Sequence, residues 1–200
     1  MSFKENNYVV IKNIVPKNLC EFLTNYFILK RKCAHTLYSK KFIPQPGNEE
    51  WGFFGDTQVD TWSIYGDMST EVLLDYCTPI MEKELDMKLI PTYSYARVYI
   101  KGNDLKKHID RKACEFSTTV NLGGDSWPIY LDPDIEINLS PGDMLIYKGM
   151  DVAHWRNPFE GKFCVQTFLH YNKEGGIAND TRPHIGLPAY TKKNDTDQDK

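Results

Sequence analysis

Helical spacing confined to the first ninety residues, alternation sustained from about Tyr93 to Tyr171, and turn signals that cut that stretch into short strands predict a mainly β chain. Many short antiparallel strands after two helices make this an α+β arrangement. The strands roll into a double-sheet jelly roll, or double-stranded β-helix, whose broad face the N-terminal helices close. At 200 residues the chain suits one domain, large enough to bury roughly 70% of its unfolded surface. Residues 1–90 read as a support region of that domain, 91–172 as its core, and 173–200 as a C-terminal extension ending in a mobile tail.

The elements follow in order. Tyr8 to Ile11 is a short β-branched run. Pro16 opens a helix with Leu19, Phe22, Leu23, Tyr26 and Phe27 on one face, since proline is pre-organised for a helix start. A second helix begins near Ser69 or Thr70 and carries Val72, Leu73, Tyr76, Cys77, Ile80 and Met81, with Pro79 expected to kink or interrupt it. Strands are predicted at Thr92 to Ile100, Glu115 to Leu122, Trp127 to Leu131, Ile135 to Leu139, Asp143 to Tyr147 and Lys162 to Tyr171. Gly102-Asn103-Asp104, Gly123-Gly124-Asp125, Asp132-Pro133-Asp134 and Pro141-Gly142-Asp143 are the turns between them. The polar run from Thr191 to Lys200 reads as a solvated tail.

Composition narrows the function. Hydrophobic residues make up 41% and charged residues 26%, with a net charge of −3, so the clustered cations that bind nucleic acid or anionic membrane are lacking. No apolar run reaches the roughly 18 residues of a membrane span. The polar N-terminus, from Met1 to Asn7, shows no export signal, and a cytoplasmic location is the default. Cys20, Cys33, Cys77, Cys114 and Cys164 are odd in number and widely spaced, as expected of reduced, mostly buried thiols.

His108-Ile109-Asp110 carries the sharpest chemistry. In a strand, positions i and i+2 share a face, which delivers an imidazole and a carboxylate about 7 Å apart along the backbone. His154 lies 44 residues after Asp110, where a rolled sheet can return it. Two His and one carboxylate with open positions opposite is the ligand set of non-haem Fe(II) oxygenases, and Asp in place of Cys favours a redox-active ion over structural zinc.

The stretch Arg97 to Asp110, with Pro141-Gly142-Asp143, His154 and Lys162 to Phe168, resembles the Fe(II)/2-oxoglutarate-dependent dioxygenases and is most similar to their prolyl 4-hydroxylase-type branch. The resemblance covers about residues 91 to 172. It implies that His108, Asp110 and His154 bind iron. It also implies that Lys162, eight residues after His154, pairs with the distal carboxylate of 2-oxoglutarate while the Tyr99 hydroxyl helps hold it. A buried dianion needs such a cation and charge-assisted hydrogen bonds. Arg156 is the alternative anchor, and Asn121 or Thr119 faces the cosubstrate. The implied cofactors are Fe(II), 2-oxoglutarate and O₂, with ascorbate as an optional reductant. The implied reaction is hydroxylation of a substrate C–H bond, in a protein or peptide as in prolyl hydroxylases, with succinate and CO₂ released. A metal- or sugar-binding cupin-like jelly roll and a small-molecule or amino-acid hydroxylase are the competing readings.

Three further features have bland readings. The aromatic segment from Trp51 to Gly66 reads as a strand pair under the helices, with a substrate-gripping lid as the alternative. His35 sits at a helix end, and His170 at the far end of the last strand, away from the metal; His184 is a further candidate ligand. Lys106, Lys107, Arg111 and Lys112 read as a solvated face rather than as a device that steers an acidic ligand.

Overall fold

The structure, a computed structural model, describes residues 3–44, 46–56, 58–176 and 185–186. The chain runs α1 (Phe3–Asn6), β1 (Tyr8–Ile11), α2 (Lys17–Ser39), β2 (Gly47–Asn48), β3 (Gly52–Phe53), β4 (Trp62–Tyr65), α3 (Met68–Leu85) and β5 (Leu89–Ile100). After these come β6 (Leu105–His108), a 3₁₀ turn at Lys112–Cys114, β7 (Phe116–Gly124), β8 (Ile129–Leu131), β9 (Ile135–Ile137), β10 (Met144–Lys148), β11 (His154–Arg156) and β12 (Phe163–Lys173). Eight strands in the order β1-β10-β7-β12-β5-β4-β3-β2 form one sheet, and β6-β11-β8-β9 form the other. Neighbouring strands pair antiparallel throughout. This is the expected double-stranded β-helix. The polar tail and His184 lie outside the described residues.

Alternation along the large sheet sorts its side chains into two cores. Ala96 and Val98 of β5, Val120 and Leu122 of β7, and Val165 and Leu169 of β12 pack with Leu23 and Phe27 of α2 and Leu74 and Met81 of α3. The intervening positions, Tyr95 and Tyr99 of β5 with Cys164 and Phe168 of β12, belong to the interior between the sheets. The helices therefore brace one face while the other is free to carry the site.

Both helices are longer than predicted and turned about their axes. In α2 the buried stripe is Cys20, Leu23, Phe27 and Ala34, whereas Leu19 and Phe22 are exposed. The helix comes close to the sheet at Thr24, where a Cβ on Gly123 would lie within 2.6 Å of its Oγ1. In α3, Val72 and Tyr76 face solvent, and Leu73, Leu74, Cys77 and Met81 are buried. Pro79 does not interrupt α3; nearby, the Leu74 carbonyl accepts hydrogen bonds from the Thr78 and Tyr171 hydroxyls. Asp67 caps α3 by accepting from Ser69 N at 3.0 Å and joins it to α2 through Lys30 Nζ at 2.6 Å.

The segment from Trp51 to Gly66 contains the expected strand pair, β3 and β4. The loop between them also brings Asp56 and Gln58 to the barrel mouth. All five cysteines are free, and all but Cys33 are buried. Among the described residues no helix is long and apolar enough to cross a membrane.

Candidate active site

Strands β6 and β11 pair with His108 opposite His154, and their ring centroids lie 4.3 Å apart. His108 Nδ1 lies 2.7 Å from the Lys106 carbonyl, and His154 Nδ1 lies 3.1 Å from the Val152 carbonyl. A carbonyl only accepts, so each Nδ1 carries the proton and each Nε2 presents a lone pair. Asp110 Oδ1 sits 3.6 Å from both Nε2 atoms. The three potential ligand atoms lie within 4.8 Å of one another.

Strand alternation is not what delivers Asp110, contrary to the reading of His108-Ile109-Asp110 as one strand. Strand β6 ends at His108, and Asp110 is held instead by its N–H on the Gly149 carbonyl at 2.7 Å. Gly149 is required there, because a Cβ would meet the Cys114 carbonyl at 2.4 Å, Ser117 Oγ at 2.5 Å and Asp110 Oδ2 at 2.6 Å.

The second carboxylate oxygen has its own partner. Ser117 Oγ donates to Asp110 Oδ2 at 2.6 Å. Ser117 also lies opposite His170 in the β7–β12 register, 3.0 Å from its Nδ1. The one hydroxyl hydrogen is used on the carboxylate, so His170 Nδ1–H donates to Ser117. His170 was expected far from the metal; the far end of β12 is instead the site itself, and the ring is buried with Nε2 unpartnered. Cys114 joins Asp110 and His170 in a second close group.

Charge states follow from burial and neighbours. Burial would raise the Asp110 pKa, but the adjacent His108 and His154 rings and the Ser117 hydroxyl win and hold it down at about 2. Burial lowers His154, whereas His108 is raised because the neighbouring Asp110 carboxylate and the Lys106 carbonyl outweigh its burial. Burial pushes His170 down to about 4 and the Cys114 thiol up to about 11. Gln58 Nε2 lies 2.8 Å from His108 Nε2, and the Tyr147 hydroxyl lies 3.3 Å from His154 Nε2.

Deeper in the barrel the structure separates the two candidate anchors. Lys162 is exposed at the rim, just outside β12, where its N–H donates to Asp125 Oδ2. It does not reach the interior because the alternating set begins at Cys164. Arg156, two residues from His154 on β11, is buried beside Trp127, with its Cζ 4.9 Å from the ring centroid. Nη1 donates to the Trp127 carbonyl, while Nε and Nη2 have no partner. Tyr99 is fully buried; its hydroxyl is 3.5 Å from Arg97 Nη1. Asn121 and Thr119 are buried too: Asn121 donates to the Leu139 carbonyl and leaves Oδ1 unpartnered, and Thr119 bonds Gln166.

A cleft of about 270 Å³ opens over His108 and Asp110. One wall is a stack of Tyr65, Tyr93 and Tyr95, with ring planes within 27° of parallel. Arg97 and Arg111 flank it. The cations read as a solvated face are all exposed; Lys106 and Lys107 pair with Asp104 and Asp132, and Arg111 also lines the cleft mouth. His35 is exposed on α2, its ring 6.1 Å from Phe54. Arg97, Ser117, Gly149 and His170 are the site residues that motif spacing did not find. The only signal for Ser117 and His170 is register, which needs the strand pairs to be known.

No protein-family model matches the chain, and no curated protein matches its sequence. Solved structures do. A Pseudomonas putida prolyl-4-hydroxylase aligns with a TM-score of 0.60 at 14% identity, over 86% of this chain and 95% of its own. EctD from S. alaskensis with bound Fe aligns at 0.62 and 15% identity, over 93% and 81%. HygX from Streptomyces hygroscopicus, solved with nickel, 2-oxoglutarate and hygromycin B, aligns at 0.60 and 11% identity, over 86% and 84%. At these identities the likeness is one of fold, and the chain has the double-stranded β-helix of 2-oxoglutarate/Fe(II) oxygenases.

Proposed function

We propose that the chain is an Fe(II)- and 2-oxoglutarate-dependent dioxygenase that hydroxylates a substrate C–H bond. The observation that carries this reading is a two-His, one-carboxylate group beside a buried guanidinium with two unpartnered nitrogens. The donor set fits Fe(II): two Nε2 lone pairs and one ionised carboxylate oxygen. The guanidinium fits the distal carboxylate of 2-oxoglutarate, because a buried cation without an anion is strongly disfavoured. A cupin-like binding module accounts for the metal group but gives Arg156 nothing to hold.

In this reading His108, Asp110 and His154 are the metal ligands, and Arg156 replaces Lys162 as the cosubstrate anchor. When bound, iron and 2-oxoglutarate supply the oxidant: with O₂ and R–H they yield succinate, CO₂ and R–OH. The chain's own work is positioning. Backbone carbonyls hold both imidazoles in the tautomer that ligates, Ser117 fixes the rotation of Asp110, and the tyrosine wall limits water above the metal. Tyr99 and Asn121 remain candidate partners of the cosubstrate. One observation favours a second anchor: the open cleft reaches Arg97 and not Arg156. Arg97 already holds Asp56 at 2.7 Å, however, and is the weaker choice.

The target is a C–H bond on a small molecule or on a residue presented by a peptide. The prolyl-4-hydroxylase neighbour supports the peptide, and HygX with its hygromycin B supports the small molecule. The test is succinate release on adding Fe(II), 2-oxoglutarate and O₂. Wild type is expected to form succinate and Asp110→Ala none; equal release by both contradicts the reading.

A further inference from the structure

Two arginines line the cleft, Arg97 buried and Arg111 exposed at its mouth. Arg97 is buried and holds Asp56 Oδ2 at 2.7 Å. Arg111 has no such partner: among the described residues no carboxylate oxygen lies within 4.0 Å of its guanidinium. It is nevertheless held in place. Its Nε donates to the Tyr93 hydroxyl at 3.3 Å, and its Cζ lies 4.7 Å from the Tyr93 ring centroid. Tyr93 is fixed in turn by the His170 ring, 4.6 Å away, and by Cys114 Sγ, 3.1 Å from its hydroxyl. A guanidinium pinned this way is pre-organised for an anion.

The charges around the cleft balance except at this point. Resting on the reading proposed above, the metal and Arg156 together offset Asp110 and the 2-oxoglutarate dianion, and Asp56 offsets Arg97. The positive charge of Arg111, exposed at the cleft mouth, is left to solvent. The tyrosines do not neutralise it, because burial keeps Tyr65, Tyr93 and Tyr95 protonated. A group with one negative charge closes the balance, whereas a phosphate dianion overshoots it. Carboxylate also matches the planar fork of a guanidinium.

Size and shape restrict what carries that carboxylate. At about 270 Å³ the cleft is smaller than the roughly 300 Å³ lower bound of drug-sized pockets. Tyr65 is 39% exposed and stacks on Tyr95 at 5.0 Å, so its open face is a flat apolar wall. We propose that the substrate presents a single carboxylate to Arg111, on an amino-acid-sized unit whose body lies against Tyr65 and whose target carbon lies between that carboxylate and the metal group.

The test pairs each acid with its carboxamide. Free amino acids form one arm, and short peptides carrying the same unit at the C-terminus or as an acidic side chain form the other. Succinate released above the substrate-free rate is measured with wild type, Arg111→Gln and Arg111→Lys. The anaerobic absorption band of Fe(II) with 2-oxoglutarate is recorded first in the same wild-type preparation. An acid that stimulates where its amide does not is expected, with KM for that acid raised about tenfold or more in Arg111→Gln and partly restored in Arg111→Lys. The responding arm identifies the carboxylate's source. No acid exceeding its amide in wild type, or a preference unchanged in Arg111→Gln, overturns the proposal. The wild-type comparison does not depend on any variant folding. Absence of the band refutes the enzyme reading instead, so the two failures are distinct.

Discussion

Ser117 and Asp110 form a 2.6 Å hydrogen bond that divides the work of one carboxylate: Oδ2 is held by the serine, and Oδ1 faces His108 and His154 at 3.6 Å each. Partners of this kind behind a metal ligand typically contribute 10–100-fold in metal affinity. Ser117→Ala is therefore expected to weaken metal binding by at least about tenfold, while Ser117→Thr keeps most of it. Titration with Mn(II), followed by its paramagnetic resonance signal, checks this; unchanged affinity in Ser117→Ala would show that the bond does not orient Asp110.

Gly149→Ala places a methyl where three atoms already lie within 2.6 Å: the Cys114 carbonyl oxygen, Ser117 Oγ and Asp110 Oδ2. Overpacking of this kind costs about 1–3 kcal/mol. The expected result is a lower urea midpoint together with lost metal binding, because relief of the clash moves Asp110. Loss of stability with metal affinity intact would mean that the strain is released elsewhere.

Arg156 and Lys162 make opposite predictions. Arg156→Met removes the buried guanidinium and is expected to raise the apparent KM for 2-oxoglutarate by about tenfold or more. Lys162→Ala, at an exposed rim position, is expected to leave it unchanged. Initial rates against 2-oxoglutarate concentration decide between them, and the reverse pattern would restore the lysine as anchor.

The metal-free protein should lose stability in two acid windows. His170 titrates at about 4 in the fold and near 6.5 ordinarily, so the unfolded chain binds more protons between those values. Stability therefore falls as pH drops from 6.5 to 4, by up to ~3 kcal/mol for a gap of about 2.5 pH units. Burial also lowers His154, which adds with the same sign, while the raised His108 opposes both. Asp110, at about 2 against an ordinary 3.8, contributes stability that is present above 3.8 and lost below it. His170→Asn keeps an N–H donor for Ser117 but does not titrate; it should flatten the upper window in urea midpoints measured against pH.

Much of this was legible in the sequence, and what was not has a common physical cause. His108, Asp110 and His154 could be found because ligand chemistry restricts residue type and spacing. The strands of the core were visible because a half-buried sheet alternates. The helices were visible too, but their faces were not: Leu19 and Phe22 continue the same helical spacing as Cys20 and Leu23, and which side meets the sheet is set by long-range contacts such as Thr24 against Gly123. Lys162 was in phase with Cys164, Gln166 and Phe168, yet one residue outside the strand puts its side chain in solvent. Ser117 and His170 meet only through the β7–β12 register, a long-range property that no local window contains.

The most direct measurement is an anaerobic titration of the purified protein with Fe(II) and then 2-oxoglutarate, watching for the visible charge-transfer band of a chelated 2-oxo acid. It requires no substrate. The band is expected in wild type and absent in Asp110→Ala. Iron bound at the His108–Asp110–His154 group without the band would contradict the dioxygenase reading and leave a metal-binding jelly roll in its place.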